Sequence, residues 1–371
     1  MKRVVALLVT VCLLLCGCDL LPIPTAPTDP TQTTGSTQST NPTGSTATDP
    51  TGSTDPTQPT GPNPVLYRHP LTGELLESPW SGQICAVVMN NAEASMPQRG
   101  VNNADILYEL EIENGRTGCL ALYSDISKVE TIGSIRDSRT AFNSIAVAYN
   151  ASLIHSGGSS FALGGQYDDS GEKITNWKHL DETTSGQYFY RDVELQYQGY
   201  AYEHTLFAKG QILLQALKDN GLYTPTNNSS GLQFSDDISL KGKKANEITI
   251  TFKGSKTTKF IHDTETGRYT MYQYGYESVD GNTNKPVTFQ NVIAIYTQQR
   301  RVENGVNVFY NTIGSGEGYI AINGQIVPIL WSRESLRSPF VYTLGDGTPV
   351  SLAVGNTYIA VVGIQNPISY K

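Results

Sequence analysis

Two hydrophobic periods divide this chain. Short extended runs, Ile84 to Met89, Asp105 to Glu113, Gly118 to Tyr123 and Ala151 to His155, surround a helical stretch from Asp137 to Tyr149, with Asp137 or Ser138 as its cap. A second helix is predicted from about Lys209 to Asn220, stopped by Gly221. After about Gly231 the helical period disappears. Short β runs follow at Glu247 to Phe252, Thr258 to His262, Arg268 to Tyr274, Val292 to Tyr296, Val306 to Thr312, Gln325 to Trp331 and Thr357 to Val362. Turn signals such as Asp280-Gly281-Asn282 and Asn323-Gly324 separate many of them, and the second reads as a simple hairpin. The pattern predicts an α+β protein: an N-terminal mixed α/β domain over 65–230, then a mostly β domain, sandwich or barrel-like, over 231–371.

The chain before residue 65 has a different character. Lys2 and Arg3 precede an apolar run from Val4 to Leu15 that ends in Leu15-Cys16-Gly17-Cys18. A basic start, an apolar middle and a small-residue cleavage site predict a signal peptide over 1–17. The run is shorter than the roughly 20 helical residues that a bilayer core of about 30 Å requires. Leu-x-Gly-Cys at this place resembles the lipobox of bacterial lipoproteins. That implies a diacylglycerol thioether on Cys18 and an extracytoplasmic chain held to the cell membrane by lipid. Residues 18–64 then shift to Thr, Pro, Gly, Ser and Asp, with almost no apolar residue after Ile23. Such a segment cannot bury enough surface to offset its ordering entropy. It predicts a disordered tether with a reach of about 40 Å as a coil and up to roughly 140 Å if its prolines hold it extended.

Charge and cysteine content narrow the function. The chain carries 26 Lys and Arg against 34 Asp and Glu, and loss of Lys2 and Arg3 leaves 24 against 34. A mature net charge of −10 argues against a nucleic-acid partner. Beyond the signal and anchor, Cys85 and Cys119 remain, both in β-like runs. They read as two buried thiols, with a disulfide as the alternative. There is no Gly-rich phosphate loop, no His-Glu-x-x-His, no Cys-x-x-Cys and no Gly-x-Ser-x-Gly. The five histidines, His69, His155, His179, His204 and His262, lack metal-ligand spacing. Neither a metal nor a cofactor is predicted.

Polar density is greatest between Pro97 and Ser160. Alternation along Asp105 to Glu113 puts Glu109, Glu111 and Glu113 on one side of a strand, opposite Ile106, Tyr108, Leu110 and Ile112. A solvated face explains the three glutamates most simply, and facing cations are the alternative. Arg136 and Arg139 lie in Gly133-Ser134-Ile135-Arg136-Asp137-Ser138-Arg139, a turn that delivers the chain into a helix. Two arginines at a helix N-terminus suit an anion, and they suit equally a structural pairing with Glu109 or Glu113. His155-Ser156-Gly157-Gly158-Ser159 ends a strand in a glycine-rich loop, where α/β sheets tend to carry function.

These segments together resemble the YerB-like lipoproteins, a family of unknown function with its own C-terminal companion domain. The landmarks are Met96-Pro97-Gln98-Arg99-Gly100, Tyr108-Glu109, Glu113-Asn114-Gly115, the Ile132 to Arg139 segment and His155 to Ser159. They continue through Tyr190-Arg191-Asp192, His204-Thr205-Leu206-Phe207, Gly314 to Gly318, Trp331-Ser332-Arg333 and Gly355 to Ile359. Two departures weaken Arg116 and thin the surroundings of His204: Asn114-Gly115-Arg116-Thr117-Gly118 displaces an expected arginine, and Thr205 and Phe207 replace an amide and a hydroxyl. The resemblance implies an envelope lipoprotein and supplies no activity.

Two classes of function remain. In a binding or scaffold module, Arg99, Arg136, Arg139, Ser159, Arg191 and His204 would hold a wall-associated anionic polymer or glycan. In a hydrolase or transferase acting on wall glycans or phosphodiesters, Glu109, Glu113 and His155 are the catalytic candidates. Glu109 and Glu113 stand roughly 13 Å apart along a strand at 3.3 Å per residue. Paired glycosidase carboxylates are separated by about 5 to 9.5 Å, so binding leads.

Overall fold

The computed structural model describes residues 66–371, apart from 169, 228–229, 239, 255 and 302–306. The predicted signal peptide, Cys18 and the tether lie outside the described residues. The described residues form one unit by contact.

An eleven-stranded mixed sheet organises that unit. Its strands run in the order Lys243–Lys244, Gln325–Arg333, Gly314–Ile322, Asn291–Thr297, Thr357–Gly363, Ile106–Glu113, Arg116–Tyr123, Cys85–Asn90, Ser152–His155 and His179–Asp181, with Val341–Thr343 paired off Gln325–Arg333. Strands from before and after residue 231 meet where Thr357–Gly363 runs parallel to Ile106–Glu113, placing Ala360 opposite Glu109. A smaller six-stranded sheet, built on Glu247–Thr251, Thr257–His262 and Tyr269–Gln273, covers one face of the large one. Its Ile248, Ile250, Phe260 and Met271 pack into Leu107, Ala121, Tyr358 and Ala360. On the opposite face, Tyr108, Leu120 and Leu122 meet Phe142 and Ile145 of the helix Thr140–Ala148, together with Trp331 and Phe340. The fold is strand-rich with few helices, and its central strands are buried on both sides. That is why Ile84 to Met89 is apolar without alternation.

The second sheet overturns the solvated-face reading of the glutamates. Alternation was read correctly, but Glu109 and Glu111 are 0% and 1% exposed because the face they share is roofed by residues far along the chain. The helix caps also differ. The first helix begins at Thr140 with Arg139 in the N-cap place and no side-chain cap bond. Asp137 instead accepts from Arg139, and Ser138 Oγ donates to Asn143 Oδ1 at 3.0 Å. The second helix, Gly210–Asp219, starts against the Ile126 carbonyl, where a Cβ on Gly210 would sit 2.0 Å from that oxygen. Asn323 and Gly324, with φ of 49° and 74°, form the expected hairpin turn between Gly314–Ile322 and Gln325–Arg333. Cys85 and Cys119 are free, buried thiols on neighbouring strands, and burial pushes Cys85 up to about 12.

Asp105, at the head of the central strand, sets a pH dependence. Burial pushes its carboxyl up to about 6, although the Ser124 amide donates to it at 2.6 Å and pulls the other way. The unfolded chain loses this proton near 3.8. Between those values the folded protein holds a proton that the unfolded one has released, so stability falls as pH rises through the window. Asp105→Asn keeps an acceptor for Ser124 and removes the ionisation. We expect it to stabilise the protein by about 1–2 kcal/mol at pH 8 and by little at pH 4. Denaturant melts at the two pH values check this, and equal effects at both would sink it.

Candidate functional site

At the carboxyl ends of Cys85–Asn90 and Ile106–Glu113 lies a cavity of about 330 Å³. Four pieces of chain make its walls, the fourth being Glu203 and His204. Asn90, Asn91 and Glu93 follow the end of one strand; Glu113 and Arg116 flank the hairpin turn of the next; Arg136, Asp137 and Arg139 come from the segment that crosses both. Backbone bonds fix the crossing segment. The Asn90 amide donates to Ser134 O at 2.8 Å, Arg136 N to Val88 O at 3.0 Å and Ser138 N to Gly157 O at 2.9 Å. Gly133, at φ 142°, makes the approach possible, since a Cβ there would lie 2.7 Å from Leu206 O.

The two arginines of this segment have different duties. Arg139 is committed to carboxylates: its terminal nitrogens donate to Glu113 Oε2 at 3.1 Å and to Asp137, with its side chain only 10% exposed. That is the structural pairing weighed from the sequence. Arg136 is 35% exposed and has long contacts, 3.5 Å to Asp137 and 3.4 Å to Glu203 O. Arg116, 75% exposed, stands 3.5 Å from Glu113.

His204 contributes a donor whose tautomer the surroundings decide. Asn90 Oδ1 accepts from Ala92 N at 3.1 Å, so the Asn90 amide nitrogen faces His204 Nδ1 at 2.7 Å. Nδ1 therefore accepts, and the proton sits on Nε2. Burial, with help from Arg136, lowers the His204 pKa against the pull of Glu203, which keeps the ring neutral near pH 7. The cavity thus offers cationic and neutral donors beside carboxylate acceptors, over an apolar floor that includes Met89 and Phe142.

The other sequence candidates are elsewhere. Glu109 is sealed beneath the cavity, accepting from Asn91, Thr117, Thr258 and Tyr358 at 2.8–2.9 Å. Arg99 is clamped by Asp192 at 2.9 Å and lies over the Phe207 ring. Arg191 lies over Tyr202 and donates to its carbonyl at 2.9 Å. Ser159 caps the short helix Ser160–Leu163. His155 is fully buried, giving its Nδ1 proton to Gly157 O at 2.8 Å, so its Nε2 accepts from His179 Nδ1 at 3.1 Å. Both rings stack on Trp177. Sequence reasoning missed Asn90, Asn91, Glu93 and Asp137, although polar residues directly after the apolar run Ile84 to Met89 mark a strand end of the kind that carries ligands. Among the described residues, no group of three or more His, Cys, Asp or Glu could hold a metal ion.

With this geometry in view, the likeness to known proteins is specific. Residues 71–223 match the N-terminal domain, and residues 248–359 the C-terminal domain, of the family described as protein of unknown function DUF3048. The chain belongs to this family. A DUF3048 relative from Bacillus subtilis (strain 168), named "Putative lipoprotein YerB", is 22% identical over 281 residues, 75% of this chain and 80% of the relative. The crystal structure of YerB from Bacillus subtilis superposes with a TM-score of 0.67 at 22% identity, covering 82% of this chain and 99% of that one. The two share a fold. Among the described residues, no helix is long and apolar enough to cross a membrane.

Proposed function

We propose that this DUF3048 protein is an extracytoplasmic binding module, held to the membrane by a lipid on Cys18, whose cavity takes a hydroxyl-rich, wall-associated glycan. The observation that carries this reading is the contrast between Arg139, whose short bonds go to carboxylates, and Arg136, which lines the same wall with only long contacts. A guanidinium, a neutral imidazole N–H and several carboxylate and amide acceptors within one cavity match the alternating donors and acceptors of sugar hydroxyls. A hydrolase receives less support. Glu109 is bonded on both oxygens beneath the cavity, and Glu113 is committed to Arg139 and Arg116.

The test incubates the protein with purified cell wall and follows both retention and the soluble fraction. Arg136→Ala should weaken retention by about tenfold or more with an unchanged melting transition. Unchanged retention would reject the cavity as the site. Fragments released by the wild type alone would make the protein an envelope enzyme, and their end groups would identify the bond cut.

A further inference from the structure

Beside the first cavity, at the seam between the Glu93–Gln98 segment and the hairpin Tyr269–Glu277, lies a second cavity of about 310 Å³. Gln273 lines it, 4% exposed. Its amide has one orientation consistent with its neighbours. Gln273 Nε2 donates to Glu109 Oε2 at 3.4 Å, and a carboxylate that already accepts from Tyr358 and Thr258 requires a donor there. Gln273 Oε1 is thereby turned away from Glu109. Buried, it has no hydrogen-bond partner among the described residues. A buried acceptor left without a partner, on a side chain that lines a cavity, calls for an N–H or O–H donor.

The remaining walls indicate what that is. Met96, Pro97, Val279 and Val287 are apolar, and Tyr276 is 70% exposed at the rim. The turn that carries this hairpin holds Tyr274 at φ 56° and Gly275 at φ 84°, the two-residue geometry that ordinarily selects Asn-Gly. A tyrosine at positive φ is uncommon and is held only where its surroundings fix it. Here Tyr274 OH donates to Asn91 O while Lys256 Nζ sits 4.3 Å from the ring centre. The strained turn thus sets Tyr274 and Tyr276 along the seam. A buried acceptor, an apolar wall and an exposed aromatic rim suit a sugar ring, which presents an apolar face and O–H or N–H donors at its edge.

The two cavities also adjoin. Glu93 lines both, and a third cavity, of about 450 Å³, shares Glu93 and Arg116 with the first and Tyr274 with the second. We propose that these cavities are successive subsites for one linear glycan chain, with the Gln273–Tyr276 cavity as a subsite remote from Arg136. This rests on the glycan-binding reading of the first cavity and adds that the ligand is an oligomer longer than one cavity can hold.

The experiment is calorimetric titration of the whole chain in detergent micelles with β-1,4-linked N-acetylglucosamine oligomers of increasing length. We expect the hexasaccharide to bind at least about tenfold more tightly than the disaccharide. Tyr276→Ala, at an exposed position that does not threaten the fold, and Gln273→Leu, which leaves Thr258 and Tyr358 on the same Glu109 oxygen, should each erase most of that gain. Both should leave disaccharide binding unchanged. Arg136→Ala should weaken every length. Equal affinity at all lengths, or a length gain that survives both variants, would overturn the second subsite and leave single-cavity binding intact. No binding at any length would overturn both readings.

Discussion

Glu109→Ala should destabilise the folded unit by about 3–5 kcal/mol, the range observed when one partner of a buried ion pair is removed. The carboxylate is 0% exposed and draws donors from both sheets: Asn91 and Thr117 from the N-terminal half, Thr258, Gln273 and Tyr358 from the C-terminal half. Lys256 Nζ lies 3.5 Å away with its side chain 6% exposed. Deleting the carboxylate strands this ammonium and leaves several buried donors without their acceptor. The reverse deletion is milder, because in Lys256→Met the carboxylate keeps its neutral donors, and a loss of about 1–2 kcal/mol follows. Denaturant titration of the two variants checks the asymmetry. Equal losses, or a Glu109→Ala effect below about 1 kcal/mol, would show that the buried pair is not what joins the halves.

The same network shows how far the sequence could be read. Period-two alternation put Glu109 correctly on one side of its strand, because side-chain direction is a local property. What covers that side is not local: Thr258 and Tyr358 lie 149 and 249 residues further on. Likewise the Gly133 to Arg139 turn and both long helices were legible from spacing, and the pairing of Arg139 with Glu113 was one of two stated alternatives. The difference between Arg136 and Arg139 was not legible, since two arginines three residues apart look equivalent until Asp137 and Glu113 choose one of them. His155 drew attention as the single histidine of a glycine-rich loop. Its partner His179 stands 24 residues away, and the stacked Trp177 completes a buried group that no motif announces. The Gln273 amide and the strained Tyr274 turn gave no signal at all, because Arg268 to Tyr274 reads as an ordinary strand.

The second large effect should come from Arg333, 1% exposed at the end of Gln325–Arg333. Its guanidinium is held by carbonyls and hydroxyls: Nε donates to Ser338 O at 3.1 Å, and the terminal nitrogens donate to Ser144 Oγ and Ser144 O, each at 2.8 Å, to Thr312 Oγ1 at 3.1 Å and to Leu336 O. Phe340 lies beneath it at 5.0 Å. Burial lowers its pKa from 12.5 to about 10, so the cation is kept by geometry against a desolvation penalty. A lysine ammonium has three donors and no planar fork, and cannot reproduce this set. Arg333→Lys should therefore destabilise by about 2–4 kcal/mol through the buried carbonyls it leaves unpaired. Arg333→Met should be no worse, since it also removes the buried charge. A lysine variant as stable as the wild type would mean that the fork is dispensable. Ser144 belongs to the helix Thr140–Ala148, whose Phe142 and preceding Arg139 form part of the first cavity. Loosening a clamp from the C-terminal half should thus also weaken ligand retention at Arg136, although Arg333 does not line that cavity. Retention measured on the folded fraction of Arg333→Lys separates this coupling from a plain loss of stability.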